Sequence, residues 1–321
     1  MRANDGAWVG WTGVADDEQG PFDADDMHLV PVMLSAAAVE LYYEGFSNDT
    51  IWPLYHDVIA SPAYHREWWE SYVEVNTRFA QTAAAAAAEG ATVWVHDYQL
   101  QLVPKILRAM RPDVRIGFFN HIPFPAYGLY AQLPWRQAIL EGLLGADVIG
   151  FQRYADAGNF QRAVRRLLRY ETKGGVVRVP DERGEGERHV ITRHFPISID
   201  AAGIEKLART PAIQARAREI REELGNPRVI MLGVDRLDYT KGIGHRLKAF
   251  EELLKQGSLD VEDATLIQVA SPSRERVTTY MRLRDEIELT VGRINGEYGR
   301  LGHAAIPVSY THLTLPTNRE V

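Results

Sequence analysis

Residues 228–243 read RVIMLGVDRLDYTKGI. The first half, Val229 to Gly233, is an apolar β-branched run with the length and character of a buried strand. The second half carries Asp, Arg, Asp, Tyr and Lys, and helical periodicity resumes near Gly244. A strand that feeds a helix through a charged turn is the opening of a βα unit, and repeated βα units build a parallel sheet. In open α/β sheets ligands sit outside the carboxyl ends of the strands. Arg236, Asp238 and Lys241 lie at such an end, just ahead of a helix N-terminus. Two cations there can hold a diphosphate. The other reading of the same residues is a solvated loop with surface ion pairs.

The pattern repeats along the chain. Strands are predicted at Thr92–Val95, Arg115–Phe119, Asp147–Phe151, Val190–Ile199, Val229–Val234 and Leu266–Ala270. Between them lie helical patterns over 68–89, 102–110, 135–144, 155–170, 213–224, 244–256 and 273–298. The alanine run at 83–88 is strong helix former. GGVVRVPDERGEGER (174–188) reads as a hairpin or loop, and a boundary falls near residue 200, after FPISID (195–200). The expectation is an α/β chain with a first Rossmann-like domain over 1–200 and a second over 201–308. The second has too few strands to be whole.

Composition narrows the function. With 321 residues, a quarter of them charged, the chain is an ordinary globular protein. A net charge of −7 argues against a general nucleic-acid surface, so a bound anion must be held by local cations. There is no cysteine, which removes disulfides, thiolate catalysis and Cys-ligated zinc. No stretch has the length of a membrane span and MRANDGAWVG is no signal peptide, so the cytoplasm is the default and Asn48-Asp49-Thr50 a chance sequon.

Two further strand ends carry chemistry. VWVHDYQL (93–100) ends in His96 and Asp97. Asp97 either accepts a sugar hydroxyl or caps the following helix. RIGFFNHIPFP (115–125) ends in His121, a catalyst or a packed histidine, before two prolines that stop regular structure. Neighbouring strand ends of a parallel sheet share one crevice, which favours the functional reading of both. Trp11, Tyr43 and Trp52 belong to aromatic stretches that serve either as sugar-stacking surface or as core. In VASPSRE (269–275), Arg274 opens a helix and suits a bidentate phosphate contact. Gly242-Ile243-Gly244 imitates the start of a dinucleotide fingerprint, but Leu247 stands where its third glycine belongs.

WVHDYQLQLVP, GFFNHIPFP, VIGFQ, VDRLDYTKGI, ASPSRE and GRINGEYG occur in this order. Together they resemble the trehalose-6-phosphate synthase family of retaining glycosyltransferases, from about Gly10 to Pro307. The resemblance implies a GT-B fold, two Rossmann-like domains with a cleft between them. It implies transfer of glucose from UDP-glucose to glucose 6-phosphate, giving trehalose 6-phosphate. Residue by residue, Arg236 and Lys241 match the cations on the donor diphosphate and His121 the histidine beside the transferred glucose. Asp97 matches the aspartate on the acceptor sugar. Tyr43, Trp52 and Arg274 match residues at the acceptor phosphate, and Trp11 the tryptophan of that pocket. The implied mechanism is front-side attack, with no protein nucleophile, the donor phosphate taking the proton, and no metal or other cofactor. The lack of an Asp-x-Asp motif at a strand end agrees with that.

The resemblance also implies elements this sequence does not match. Ahead of the matched region the family has a first strand, an arginine and a Gly-Gly loop over the donor phosphates. After GRINGEYG it has acidic residues for the donor glucose and ribose. Here Gly302-His303-Ala304-Ala305 stands for Gly-Trp-x-Pro, and SYTHLTLPTNREV (309–321) follows no family pattern and reads as a non-native tail. The expectation is a chain truncated at both ends and itself poorly active. Rival readings are a relative using glycerol 3-phosphate or ADP- or GDP-glucose, and a non-catalytic binding or regulatory fragment. Retention of Asp97, His121, Arg236, Lys241 and Arg274 argues against the last. Expected partners are small-molecule substrates, with no nucleic acid and no membrane; a homo-oligomer is compatible with the sequence.

Overall fold

The computed structural model describes residues 6–180, 186–274, 276–300 and 303–309. The expected tail at 309–321 lies, from residue 310 on, outside the described residues. The chain divides into two compact units, Met1–Ile197 and Ser198–Val321.

The first unit starts with β1 (Ala7–Gly10), β2 (Phe22–Ala24) and β3 (Met27–Pro31), a small sheet of order β1-β3-β2. Sequence reading had assigned no strand here, because none of the three is longer than five residues. Asp25 and Asp26 both take positive φ (51° and 57°) and close the β2–β3 hairpin, as a tight two-residue turn requires. An Asp23-Ala24-Asp25 triplet therefore does exist at a strand end. It belongs to the hairpin, with Asp23 paired to His28 Nδ1 at 2.8 Å.

Next comes α1 (Ala36–Ala38), capped by the Ser35 hydroxyl, which continues without a break into a π-helix (Val39–Ile51) and then α2 (Trp52–Tyr55). Ordinary helical periodicity does not cover a thirteen-residue π-helix, so no clear helical pattern is visible in this stretch of sequence. It is nonetheless core: Tyr42, Phe46 and Ile51 are buried. α3 (Arg66–Ala86) packs beside it, with Phe46 4.4 Å from Tyr72 between ring centroids.

The main sheet follows. It is built from β4 (Thr92–His96), α4 (Val103–Met110), β5 (Arg115–Asn120), α5 (Tyr127–Tyr130), α6 (Arg136–Leu143), β6 (Val148–Phe151), α7 (Tyr154–Leu167), β7 (Thr172–Lys173), β8 (Val176–Pro180) and β9 (Glu187–His194). Strand order is β4-β5-β6-β9-β8-β7. The first four are parallel, and β8 and β7 add an antiparallel edge. The sequence strand at 190–199 is corrected to an end at His194, where ladder pairing with Phe151 stops. Gly145 admits close packing of α6 on α4, since a Cβ there would lie 2.2 Å from Lys105 N. Beneath the sheet Phe124, Tyr130, Phe151 and Phe160 interlock at centroid distances of 4.9–6.0 Å.

The second unit begins with α8 (Ala201–Ala208), capped by Asp200, and α9 (Pro211–Glu223). A parallel sheet of order β10-β11-β12 follows. It comprises β10 (Val229–Arg236), α10 (Ile243–Lys255), β11 (Ala264–Ser271), α11 (Thr278–Tyr298) and β12 (Val308–Ser309). Leu247, Phe250 and Leu254 of α10 and Ile287 and Ile294 of α11 close over Leu266 and Ala270. That is the i, i+3, i+4, i+7 stripe of an amphipathic helix set on a sheet. The predicted helix start at 273 moves to Thr278, because Arg274 takes φ +54° and breaks any helix there. Among the described residues, no helix is long and apolar enough to cross a membrane.

Candidate functional site

The strand-end residues of the first unit form one cluster. β4 ends at His96 and β5 at Asn120, so Asp97 and His121 are the first residues beyond adjacent parallel strands. Asp97 has φ 71°, ψ 173°, a region that is essentially glycine's alone and costs other residues about 1–3 kcal/mol. Its surroundings hold it there. Its backbone N–H donates to Phe119 O (2.8 Å), and Oδ1 accepts from the backbone N–H of Tyr98 (2.9 Å) and of His121 (3.1 Å). The capping alternative is therefore realised, since the carboxylate closes the 3₁₀ turn Tyr98–Leu100. The group is only half-buried and also faces outward.

The segment after Asp97 rests on buried polar groups. Tyr72 Oη donates to Tyr98 O (2.7 Å), Tyr55 Oη to Gln101 Oε1 (2.8 Å) and Tyr98 Oη to Asn48 Oδ1 (2.9 Å). Asn76 donates to Gln99 O (3.0 Å) and accepts from Leu102 N (3.0 Å). Burial pushes the phenols of Tyr55 and Tyr72 well up, so both stay protonated donors. A buried polar network of this kind narrows the geometry open to the turn. Here that turn is the strained one that presents Asp97.

His121 is exposed, and its Nε2 lies 3.0 Å from His96 Nδ1. Trp11 and Tyr43 come together edge to face at 5.4 Å, both half-buried. Trp11 Nε1 donates to Val14 O (2.8 Å). Trp52 is 5% exposed, packed on His56 (4.2 Å) and Tyr98 (5.5 Å). Of the three aromatics, Trp52 sits as core and the other two keep an open face.

In the second unit the turn after β10 carries Arg236, half-exposed, and Lys241, exposed. Lys241 ends the 3₁₀ turn Tyr239–Lys241, and Gly242 (φ 65°, ψ 27°) then starts α10. A side chain at that left-handed position would strain the joint between the lysine and the helix N-terminus. A third cation of this face, Arg246, is tied to Asp235 (2.9 Å) and to Gln268 Oε1 (2.6 Å). Arg236 and Lys241 are thus the cations this strand end presents outward.

Below them lies a knot whose central role sequence reading missed. Asp238 is fully buried. Its carboxylate accepts from Thr240 N (2.9 Å), Thr240 Oγ1 (2.8 Å), Tyr280 Oη (3.1 Å) and Arg274 Nη1 (3.3 Å), with Arg236 Nη2 at 4.0 Å. Arg274 also donates to Tyr280 Oη and lies over its ring at 5.2 Å. Its side chain is 3% exposed. Arg274, read from sequence as a phosphate contact, lies against Asp238 in this structure. The Asp-x-Thr spacing of 238–240 signals such a side-chain turn; nothing local signals Tyr280. A cavity of about 330 Å³ lined by Leu237, Ser273, Tyr280, Met281, Arg284 and Asp285 borders the same tyrosine, and none of the residues read as ligands lines it.

Comparison with known proteins agrees with the fold. A curated trehalose-6-phosphate synthase of Mycolicibacterium gilvum is 58% identical over 325 residues, covering 98% of this chain and 64% of that protein. One of Mycolicibacterium smegmatis is 56% identical over 319 residues, covering 98% and 63%. The chain thus spans a little under two thirds of the length of these relatives. A solved α,α-trehalose-phosphate synthase (UDP-forming) from Burkholderia xenovorans, in complex with glucose-6-phosphate, superposes with a TM-score of 0.87 at 30% identity, over 96% of this chain and 68% of that one. An E. coli structure bound with UDP-2-fluoro glucose gives 0.87 at 31% identity, over 97% and 68%. These neighbours have the GT-B fold, and the two α/β units described above share it. The model of glycosyltransferase family 20 matches residues 1–321, and the chain belongs to that family.

Proposed function

We propose that the chain carries the acceptor half and part of the donor half of a retaining glucosyl transfer. Glucose passes from UDP-glucose to glucose 6-phosphate, giving trehalose 6-phosphate. The observation that carries this is the outward pair Arg236 and Lys241 at the carboxyl end of β10, beside the N-terminus of α10. Cations and a helix N-terminus together neutralise a leaving diphosphate. The reading needs no metal, because these groups supply the charge. In the first unit His121 faces the transferred glucose, Asp97 receives an acceptor hydroxyl, and Trp11 and Tyr43 form a wall against the acceptor. Front-side attack requires no protein nucleophile; the leaving phosphate oxygen takes the acceptor proton, and the enzyme contributes orientation.

Trp52 and Arg274 enter at the acceptor phosphate on the resemblance alone. The guanidinium of Arg274 must turn out from Asp238 to reach it, because in this structure its side chain is 3% exposed. The names of the relatives and the two liganded neighbours favour glucose 6-phosphate and a uridine donor over the alternatives. The reading sets the reaction in the cytoplasm.

The test is calorimetric titration of the 321-residue chain with UDP and, separately, glucose 6-phosphate, with glycerol 3-phosphate as competitor. A parallel assay follows trehalose 6-phosphate formation. The expected result is binding of both, with UDP binding weakened roughly 10- to 100-fold in Arg236→Ala. Failure of both ligands to bind, or tighter binding of glycerol 3-phosphate than of glucose 6-phosphate, overturns the proposal.

A further inference from the structure

We propose that His96 is the positioning residue of His121, holding its ring by a hydrogen bond so that Nδ1 alone is left to meet a ligand. For its consequence in catalysis this rests on the reading above; for its test it does not. The two rings end adjacent parallel strands, with His96 Nδ1 3.0 Å from His121 Nε2, ring centroids 5.3 Å apart and planes inclined by 23°. At that distance the two nitrogens share one proton, since two would clash and none would set lone pair against lone pair. Whichever ring formally owns it, His121 Nε2 is occupied.

The surroundings leave His96 little freedom to turn away. Trp94 lies 4.6 Å and Trp8 6.3 Å from its ring, on β4 and β1. Phe119 of β5 lies 4.7 Å from His121, whose backbone N–H is fixed by Asp97. Asp97 is the one ionisable group that the described contacts set beside the pair. Burial, and then the neighbouring His121, push the His96 imidazole below its ordinary value. His96 thereby favours the neutral form that a shared N–H···N bond uses. An exposed histidine beside a sugar is thus given one defined orientation without being buried itself.

The experiment uses the 321-residue chain with ¹⁵N-labelled histidine and no substrate, at neutral pH. Long-range proton–nitrogen correlation identifies the ring nitrogens, His96→Phe and His121→Asn assign them, and nitrogen–nitrogen correlation looks for coupling across the shared bond. Coupling between His96 Nδ1 and His121 Nε2 is expected. In His96→Phe it is lost, and the His121 Nε2 shift moves toward that of a freely rotating imidazole. His96→Gln, with folding checked by circular dichroism, serves if the Phe variant does not fold. If the His121 ring nitrogens resonate at the same positions in wild type and in the folded His96 variant, the proposal is overturned. Coupling present in a chain that binds neither UDP nor glucose 6-phosphate would instead overturn the functional reading, so the two fail separately.

Discussion

Removing Asp238 tests whether the second unit's strand end depends on one buried carboxylate. Asp238 is fully buried and Arg274 nearly so, and four of the contacts described above end on Asp238. Asp238→Ala takes the Asp238 carboxylate from a buried guanidinium and strands the donors of Thr240 and Tyr280. Breaking a buried pair by deleting one partner costs about 3–5 kcal/mol. For a unit of roughly 120 residues, about 4 °C of melting temperature is lost per kcal/mol. The expected fall is therefore about 12–20 °C in the transition of that unit. Urea denaturation followed by far-UV circular dichroism and by calorimetry measures it. Tryptophan fluorescence is an internal control, because all seven tryptophans lie between residues 8 and 135, in the first unit. Arg274→Met should also destabilise, and the double variant Asp238→Ala/Arg274→Met should lose less than the sum, by about 0.5–3 kcal/mol. A loss below about 1 kcal/mol in Asp238→Ala, the worth of a solvated pair, would refute the reasoning.

Three other outcomes follow from the geometry. Arg236→Ala removes a half-exposed cation, so stability should move by no more than about 0.5 kcal/mol. The UDP dissociation constant should rise roughly 10- to 100-fold, the worth of about 1.5–3 kcal/mol for a charged hydrogen bond, as titration calorimetry will show. Asp97→Gly and Asp97→Ala both delete the carboxylate, but only glycine relaxes at φ +71°. The glycine variant should therefore be the more stable by about 1 kcal/mol in urea melts, and equal stabilities would contradict the strain. The folded-state value of His96 is depressed, chiefly by burial. Its contribution is therefore whole above the unfolded value of about 6.5 and is lost as pH falls through the folded value. Between about pH 7 and 5 the wild type should lose more stability than His96→Phe, and parallel pH profiles would remove the assignment.

What the sequence showed and what it hid divide along the range of the interactions. Strands β4, β5, β6, β10 and β11 were legible because each is an apolar β-branched or aromatic run bounded by turn residues. The π-helix at 39–51 was not, because its repeat matches neither of the usual periods. Nor were β1 to β3, which are too short to carry a pattern. The strand-end candidates, Asp97, His121 and Arg236, were found because strand ends announce themselves. Their partners were not: Tyr280 lies forty-two residues from Asp238, and His121 twenty-five from His96. Such contacts are set by the sheet register and leave no local trace.

The two units in fact use one device twice, and the difference between the copies decides what each aspartate can do. In each, a strand end leads to Asp-Tyr, the Asp side chain caps a 3₁₀ turn, and a helix follows. Asp97 accepts from Tyr98 N at 2.9 Å, and Asp238 from Thr240 N at the same distance. Asp97 reaches this through φ +71°, which turns its carboxylate partly outward. Asp238 sits at φ −147°, in relaxed extended backbone, and its carboxylate points into the protein toward Arg274 and Tyr280. Strain in one copy thus leaves a half-buried acid at the strand end. Its absence in the other yields a buried strut under the cations. Identical residue pairs at equivalent strand ends are therefore not equivalent in burial, and the backbone angle is the variable that separates the half-buried acid from the buried strut.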